Sequence, residues 1–374
     1  MTPQRILYVN GGIMHRGGIE SYMMSYYRNL DKDKLQIDFI VHGYDKGIYD
    51  DEIEAMGGRI FRVPVKSKNY FGNIRELRKI FDSNDYKIVH SHMDAMSTVV
   101  LKIAKESNIP IRIAHSHNTQ HLTTNKIKYL LNEYARKNIT KYATHLFACS
   151  EPAARWLFGS TNVDKGNVVY VKNAINLEEY AFDPAMRAKY REEFSVEEDL
   201  VIGHVGRFDY QKNHSYLIDV FNRLVQEVPN AKLVLVGDGR LKSKIQDKII
   251  EYNLSNNIIL LGVRDDVNNI MNAFDVFILP SHFEGLGIVL VEAQANGLKC
   301  IASDTIPKEV NISGDVTFLS TAQNNIGCWI RQILQTDVNN RNADINKFVT
   351  SGYGIKNEVE KLQQLYLEYL GDLI

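Results

Sequence analysis

Two glutamates in the last third of the chain have the most specific spacing of its chemically active residues. Glu284 is followed by the turn Gly285-Leu286-Gly287, and Glu292 comes eight positions later (292 − 284) in an apolar run. A helix is predicted to begin near Gly287, where free backbone N–H groups can bind sugar hydroxyls or a phosphate. The apolar neighbours of Glu292 place it near a buried face, where an unpaired carboxylate is costly. We therefore predict that both carboxylates recognise ligand hydroxyls; the alternative for Glu292 is a solvated helix position.

Two cations stand at the end of another predicted strand. Gly206-Arg207 closes the strand that begins at Val201, and Lys212 precedes a predicted helix. Ligands of open α/β sheets bind beyond the carboxyl ends of the strands. Two positive side chains beside a helix start suit a diphosphate. The alternative is a pair of solvated surface cations, which usually signify little.

A glycine-rich loop follows the first predicted strand. Asn10-Gly11-Gly12 leads to Gly17-Gly18 at the start of a predicted helix, and glycines permit a close backbone approach to a ligand. The loop suits a phosphate or is a flexible turn. The pattern G-x-G-x-x-G is absent, so a dinucleotide fold is not indicated.

Two His-x-His clusters also fall at predicted strand ends. They are His90-Ser91-His92 and His115-Ser116-His117, the second followed by Asn118. A lone histidine is most often a satisfied core residue, but two such clusters facing one cleft indicate a site. Zinc binding is the rival hypothesis, since alternate residues of an extended segment can point the same way. No carboxylate or cysteine shell accompanies the clusters, so we predict no metal.

These residues are positioned by short β-branched runs that alternate with amphipathic stretches, the pattern of parallel sheets wound with helices on both faces. At 374 residues the chain is too long for one ordinary core. We predict an α/β protein of two doubly wound domains, residues 1–178 with a returning C-terminal helix at 357–374, and residues 179–356. The predicted strands are Arg5–Asn10, Leu35–His42, Arg59–Val65, Lys87–Met93, Pro110–His115, His145–Ser150, Val168–Asn173, Val201–Gly206, Lys232–Gly237, Ile258–Leu261, Val276–Pro280 and Cys300–Ser303.

Composition excludes several classes of protein. The net charge of −1 gives no excess that would steer the whole molecule to nucleic acid. The three cysteines, Cys149, Cys300 and Cys328, lack metal-ligand spacing and are interpreted as buried thiols of a reducing compartment. No signal peptide or membrane-spanning stretch is predicted, so we expect a cytoplasmic protein whose contact with a membrane is peripheral.

The segment 125–142 is the candidate for that contact. Its cations interleave with apolar residues at helical spacing, which predicts a basic amphipathic helix. Such a helix can lie on an anionic membrane at the inner face of the plasma membrane. The alternative is a helix docked on its own domain with a solvated charged face.

Taken together, these motifs resemble the retaining glycosyltransferases of family 4, which have the GT-B fold of two Rossmann-like domains facing a central cleft. The resemblance rests on the Glu284 to Glu292 spacing, Gly206-Arg207 with Lys212, Gly237-Asp238-Gly239 and the Gly17-Gly18 loop, and covers almost the whole chain. Within the family, Ile301-Ala302-Ser303-Asp304 and Pro307-Lys308-Glu309-Val310 look most like capsular and exopolysaccharide transferases.

The resemblance implies roles for particular residues. Arg207 and Lys212 would bind the donor diphosphate, and Glu292 the ribose hydroxyls. Glu284 and the amides of Gly285, Leu286 and Gly287 would hold the transferred sugar, and His115 or His117 would line the site beside it. The further donor-binding candidates are Gly17, Gly18, Asn173, Gly206 and, beside the nucleobase, Val263 and Arg264.

The expected reaction transfers a hexose or N-acetylhexosamine from a UDP-sugar to a glycan, lipid-linked where a membrane is involved, without metal or other cofactor. Two other classes are open. A sugar-nucleotide epimerase of the same fold needs positioned acids and bases, which the Glu284 to Glu292 spacing does not provide. A catalytically silent nucleotide-binding partner subunit would not need both Arg207 and Lys212.

Overall fold

The computed structural model describes residues 3–121, 123, 125–338 and 340–373, which form two compact units. The first unit is Met1–Ile175 with Gly354–Ile374, and the second is Asn176–Tyr353. The chain thus enters the second unit at Asn176 rather than at residue 179, and returns to the first at Gly354 rather than at residue 357. A parallel bridge between Ile175 and Gly354 joins the two crossing segments.

The first unit contains a parallel sheet in the order β3-β2-β1-β4-β5-β6-β7. Its central strands are almost entirely buried, as in parallel sheets covered on both faces, although they carry polar residues such as Asp38, His90 and His115. The strands are β1 Gln4–Val9, β2 Leu35–His42, β3 Ile60–Val63, β4 Ile88–Ser91, β5 Ile111–Ser116, β6 His145–Ala148 and β7 Val168–Tyr170.

Helices cover both faces of this sheet. The last of them, α16 (Ile355–Gly371), returns from the second unit and buries Val359, Leu362 and Tyr366 in the same core as α1 (Gly18–Asn29), which is the packing predicted for the C-terminal helix. The helices are α1 Gly18–Asn29, α2 Asp50–Ala55, α3 Tyr70–Asp82, α4 Ser97–Glu106, α5 Lys126–Asn138, α6 Glu151–Phe158, α7 Ser160–Asp164 and, from the C-terminus, α16 Ile355–Gly371.

The second unit has a parallel sheet in the order β10-β9-β8-β11-β12-β13. Its edge strand β13 was not predicted from the sequence, because it is short and mostly half-buried and so lacks a continuous apolar run. The strands are β8 Val201–Val205, β9 Lys232–Val236, β10 Ile258–Gly262, β11 Val276–Leu279, β12 Lys299–Ser303 and β13 Val316–Leu319. The helices are α8 Leu177–Tyr180, α9 Pro184–Phe194, α10 His214–Leu224, α11 Lys242–Glu251, α12 Val267–Ile270, α13 Ile288–Ala295, α14 Ile326–Leu334 and α15 Ile345–Thr350.

Strand order reverses at one point in each sheet, between β1 and β4 in the first unit and between β8 and β11 in the second. Such a switch point leaves a crevice at the carboxyl ends of the two strands, where ligands of open α/β sheets bind. Arg207 and Glu284 follow β8 and β11 at the switch point of the second sheet, whereas Asn173 and Val263 follow the edge strands β7 and β10.

One prediction about the cysteines is wrong. Cys149 and Cys300 are buried, but Cys328 is exposed. It lies on α14, which buries Trp329, Ile330 and Ile333 and therefore turns Cys328 toward solvent.

Among the described residues, no helix combines the length and apolarity needed to cross a membrane.

Candidate active site

The centre of the site in the second unit is an ion pair between Lys212 and Glu284. Lys212 Nζ lies 2.9 Å from Glu284 Oε1, and both side chains are largely buried. Glu284 Oε1 also accepts a hydrogen bond of 2.6 Å from Ser281 Oγ, and Oε2 accepts one of 3.1 Å from Gln211 Nε2. Both oxygens are therefore satisfied before any ligand arrives, and the carboxylate fixes the position of the lysine ammonium. The sequence did not indicate this pairing, nor the part played by Ser281 and Gln211.

Glycines allow the loops of this site to approach one another. A Cβ on Gly206 would lie 3.0 Å from the carbons of the Lys212 stem, which passes over the Gly206 backbone. Gly237 has φ +137°, and a Cβ there would lie 2.1 Å from the carbonyl oxygen of Gly206. Larger residues would push the loops after β8 and β9 apart and displace Lys212.

Glu292 lies within α13, as predicted, and it is not a solvated helix residue. It accepts a hydrogen bond from the Tyr180 hydroxyl. Burial raises the pKa of Glu292 to about 7, although the Tyr180 hydrogen bond and the positive charge of Lys212 act in the opposite direction. The carboxyl is therefore poised to ionise near neutral pH, and a ligand hydroxyl that donates to it would favour the ionised form.

The turn between the two glutamates has the predicted free donors. Gly287, at φ +84°, is the N-cap of α13. Within the described parts of the chain, no group accepts a hydrogen bond from the amides of Gly285, Leu286 or Gly287. These amides at a helix N-terminus form a polar concavity that suits an oxygen-rich ligand.

The remaining candidates of the second unit differ in their surroundings. Arg207 is exposed at the end of β8. Val263 is also exposed, directly after β10. Arg264, by contrast, is held by Asp266 through two hydrogen bonds of 2.8 and 2.6 Å. Arg207 is therefore the cation that can move to a ligand, whereas Arg264 is fixed in place.

In the first unit the two His-x-His clusters form a single buried block of four imidazoles. His90 stacks on His92 with ring centroids 4.2 Å apart, and His115 stacks on His117 at 4.1 Å. Across the strands, His90 Nε2 and His115 Nδ1 are 3.0 Å apart, as are His92 Nδ1 and His117 Nε2. Burial lowers the pKa of all four histidines, that of His117 to about 3, so the block is neutral at pH 7.

The two histidines between which the sequence could not choose have different positions. His115 lies inside β5 and is fully buried, whereas His117 follows the strand and keeps 8% of its surface exposed. Asp94, at φ +47°, accepts hydrogen bonds from the amide of His117 and from the Asn118 side chain. His117 is thus held at the carboxyl end of the sheet by a residue that the sequence analysis missed, because a single aspartate in the left-handed region has no sequence signature.

Whether the histidines could bind a metal depends on which of their nitrogens are free to coordinate it. His90, His92 and His115 each offer one nitrogen, and these nitrogens lie within 4.8 Å of one another. Each of these three rings, however, already has one nitrogen in a hydrogen bond with another histidine. Among the described residues, no carboxylate or thiolate joins this group. The block is better suited to a hydrogen-bonded array than to a divalent cation, whose charge would be buried without an anionic ligand.

The other first-unit candidates lie at the start of α1 and after β7. Gly17 is the N-cap of α1, and the side chain of Glu20 lies so close that a Cβ on Gly17 would be 2.2 Å from Glu20 Oε2. Gly18 is the first residue of α1, and its Cβ position is open. Asn173 follows β7, and its Oδ1 is buried without a partner among the described residues.

Helix α5 is unusual because its apolar stripe faces outward. Only Ala135 of this helix is buried. Ile127, Leu130, Leu131 and Tyr134, spaced i, i+3, i+4 and i+7, are 72%, 67%, 63% and 72% exposed. The helix packs against α4 and the segment Asp94–Met96 of its own unit, as the docked-helix alternative predicts, but its apolar stripe takes no part in that packing. The cations Lys126, Lys128, Lys137 and Lys141 are exposed beside the stripe.

Two family models match the chain: Glycosyltransferase Family 4 over residues 16–179 and Glycosyl transferases group 1 over residues 186–343. EpsF of Bacillus subtilis (strain 168), which is named as a glycosyltransferase, is 37% identical over 337 residues that cover 89% of this chain and 87% of EpsF. The chain belongs to glycosyltransferase family 4. The capsular polysaccharide biosynthesis glycosyltransferase CapH of Staphylococcus aureus is 25% identical over 78% of this chain and 79% of CapH.

Solved structures agree with this assignment at the level of the fold. HepE of Anabaena, in complex with UDP and glucose, superposes with a TM-score of 0.75 at 18% identity, covering 98% of this chain and 99% of HepE. WaaG, a glycosyltransferase involved in lipopolysaccharide biosynthesis, superposes with a TM-score of 0.72 at 14% identity over 96% of this chain and 99% of WaaG. This family 4 protein has the GT-B fold, and it is a glycosyltransferase of polysaccharide biosynthesis.

Proposed function

We propose that this glycosyltransferase moves a hexose or N-acetylhexosamine from a UDP-sugar to a hydroxyl of a lipid-linked glycan, with retention at the anomeric carbon and without a metal. The observation that carries the proposal is the Lys212–Glu284 ion pair at the carboxyl end of the second sheet. The charge of Lys212 also acts on the buried carboxyl of Glu292. Two relatives support the donor and acceptor classes. HepE was crystallised with UDP-glucose, and an Escherichia coli relative, 24% identical over 94% of both chains, is named a UDP-Gal:alpha-D-GlcNAc-diphosphoundecaprenol alpha-1,3-galactosyltransferase.

Each group has a separate task in the proposed reaction. The anomeric bond to the diphosphate breaks while the bond to the acceptor oxygen forms on the same face, and the acceptor proton passes to a leaving phosphate oxygen. Arg207 and Lys212 stabilise the charge that grows on the diphosphate, because preorganised positive groups act most strongly where charge develops. Glu284 and the amides of residues 285–287 hold the transferred sugar, and Glu292 accepts from the ribose hydroxyls. Val263 and Arg264 contact the nucleobase, and His117 contacts the sugar.

Product analysis tests the proposal as a whole. The purified protein is incubated with membrane extract and a panel of nucleotide sugars, and lipid-linked products are identified by mass spectrometry. We expect one UDP-sugar to give a product that is heavier by one hexose or N-acetylhexosamine. Transfer from a GDP-, ADP- or dTDP-sugar alone would contradict the UDP assignment.

The metal-free mechanism makes a prediction of its own. Activity should be unchanged by excess EDTA, because two cations and a helix N-terminus already neutralise the diphosphate. The measurement compares initial rates with EDTA alone and with EDTA followed by excess Mg²⁺ or Mn²⁺. A loss in EDTA that Mg²⁺ or Mn²⁺ restores would show that the reaction requires a metal.

Glu292 should make UDP binding depend on pH. Because its pKa is about 7 in the free protein, the carboxyl is mostly protonated at pH 6 and mostly ionised at pH 8. Charge-assisted hydrogen bonds are about twice as strong as neutral ones. We therefore expect affinity for UDP to rise by up to about tenfold from pH 6 to pH 8, the limit for a single group with this pKa.

Calorimetric titration of UDP into wild type and Glu292→Gln measures this effect. The phosphate of UDP titrates in the same range, so the glutamine variant supplies the baseline, and the difference between the two proteins is the contribution of Glu292. The variant should bind more weakly at pH 8 and similarly at pH 6. Glu284→Gln breaks the ion pair that positions Lys212 but keeps Glu292, so its affinity for UDP should still rise from pH 6 to pH 8 as in wild type. Parallel pH curves for wild type and Glu292→Gln would show that Glu292 does not bind the ribose.

We also propose that the protein works at the inner face of the plasma membrane, held there by α5. The support is the outward apolar stripe beside exposed lysines, the arrangement that binds an anionic interface.

A further inference from the structure

In the buried pair His92 and His117, the number of ring hydrogens determines whether Nδ1 of His117, the nitrogen outside their shared hydrogen bond, carries a hydrogen. Both imidazoles are neutral, because burial lowers the pKa of each. Two neutral imidazoles carry two N–H hydrogens between them, and a single hydrogen bond joins them, from Nδ1 of one to Nε2 of the other at 3.0 Å. One hydrogen therefore lies in that bond, and the second must be on the far nitrogen of one ring.

The two nitrogens outside this hydrogen bond, His92 Nε2 and His117 Nδ1, have different surroundings. His92 Nε2 is buried, and no group of the described residues lies within hydrogen-bonding reach of it. Neither nitrogen of His117 is among the buried unpartnered atoms of the described chain, and the residue keeps 8% of its surface exposed. A hydrogen on His92 Nε2 would be a buried donor without an acceptor, which folded proteins avoid more strictly than a buried acceptor without a donor. A hydrogen on His117 Nδ1 can reach solvent or a ligand.

We infer that His92 is a positioning residue, whose Nδ1–H donates to His117 Nε2 and thereby fixes His117 as the Nδ1–H tautomer. His117 then presents a hydrogen-bond donor, and not a lone pair, at the carboxyl end of the first sheet. It can donate to a hydroxyl or phosphate oxygen of the substrate, but it cannot remove a proton from the acceptor through that nitrogen. The catalytic consequence rests on the proposed function, whereas the tautomer itself does not.

The neighbouring row of the block shows why this argument is specific to His92 and His117. His115, His90, Tyr366 and Tyr8 are joined by three hydrogen bonds. The two neutral imidazoles and two phenols carry four hydrogens, and three of them lie in these bonds. Whichever direction the bonds donate in, the fourth hydrogen is at one end of the row, on His115 or on Tyr8, and both residues are fully buried. Hydrogen counting therefore leaves the orientation of that row open.

The test is nuclear magnetic resonance of the full chain labelled with ¹⁵N at histidine. Long-range ¹H–¹⁵N correlations distinguish a protonated from a bare imidazole nitrogen, and the His117 signals are assigned as those missing from His117→Ala. We expect wild-type His117 to be protonated at Nδ1 and bare at Nε2. Protonation at Nε2 overturns the inference, as does one equivalent of zinc in the purified protein, because a metal would take the nitrogens that the hydrogen bond uses.

Variants at His92 test its positioning role. His92→Asn keeps an N–H donor near the place of Nδ1, whereas His92→Leu removes it. We expect the asparagine variant to keep the Nδ1–H tautomer and a kcat within about threefold of wild type. The leucine variant should give mixed tautomers and lose about tenfold or more in kcat, since an imidazole in the wrong tautomer offers a lone pair where a donor is needed.

His90→Asn, in the neighbouring row, is the matched control and should leave the His117 tautomer unchanged. A leucine variant that keeps both the tautomer and the rate overturns the role of His92. If the tautomer is as inferred in a protein that transfers no sugar from UDP, the proposed function fails and the assignment of His92 stands.

Discussion

Replacing Lys212 by alanine should lower kcat by about 10²–10³, the usual cost of removing one preorganised group that stabilises transition-state charge. Arg207→Ala should lower it by a similar factor. The two variants should differ in stability. Lys212 is paired with the largely buried Glu284, so its loss leaves that carboxylate with only Ser281 and Gln211 as partners. We expect a loss of about 1–3 kcal/mol in the free energy of unfolding for Lys212→Ala and almost none for the exposed Arg207→Ala.

Steady-state kinetics with the identified donor, together with thermal unfolding, measure both effects. Lys232→Ala is the matched control, because Lys232 begins β9 at the amino edge of the same sheet and its Nζ donates to the carbonyl of Asn256. It should keep full activity. Near-wild-type turnover in either Arg207→Ala or Lys212→Ala would remove that residue from the proposed diphosphate site.

Leu130→Glu combined with Leu131→Glu should weaken binding to vesicles that contain anionic lipid by more than about a hundredfold. Burying a leucine side chain contributes about 1.5–3 kcal/mol, and each factor of ten corresponds to about 1.4 kcal/mol. Both leucines are exposed in the structure, so their replacement should leave the fold and the thermal unfolding midpoint almost unchanged. Co-sedimentation with vesicles of phosphatidylglycerol and phosphatidylcholine measures the partition.

An exposed apolar residue elsewhere supplies the control for this experiment. Ile250 is 66% exposed on α11, close to the 67% of Leu130, and is also near lysines. Ile250→Glu should bind vesicles as wild type does. Binding should also weaken at high salt and on pure phosphatidylcholine, because the lysines of α5 contribute electrostatic attraction. Equal weakening by Ile250→Glu, or no weakening by the double variant, would show that α5 is not the membrane contact.

Much of the fold could be predicted because local pattern and tertiary structure agree in this chain. The segments Leu35–His42 and Val201–Val205, which are rich in apolar residues, are the buried strands that a parallel sheet needs, and a helix starts at the turn Gly285-Leu286-Gly287, where the glycines allow it. The short edge strand Val316–Leu319 escaped prediction, because half-buried edges lack the continuous apolar run of a central strand.

The candidate site was predicted residue by residue but not as a set of contacts. Glu284 and Lys212 were given separate ligands, and the structure joins them in one pair. His115 and His117 were left as alternatives for a single position, whereas their rings form one block with those of His90 and His92 across β4 and β5. Asp94 had no sequence signature, because its role arises where the loops after β4 and β5 meet. Ser281 acts locally, on the carboxylate three residues further along the same loop.

The sequence by itself determined the α/β class, the two doubly wound sheets and the residue types at the carboxyl ends of their strands, because periodicity and glycine placement act locally along the chain. Only the tertiary structure decided which side chains meet. Pairing Lys212 with Glu284 depends on the order of β8 and β11 in the sheet, and stacking His92 on His90 opposite His117 depends on the register of β4 and β5. Burial is likewise a property of the assembled layers, so the raised pKa of Glu292 and the outward stripe of α5 appear only when all the neighbouring elements are in place.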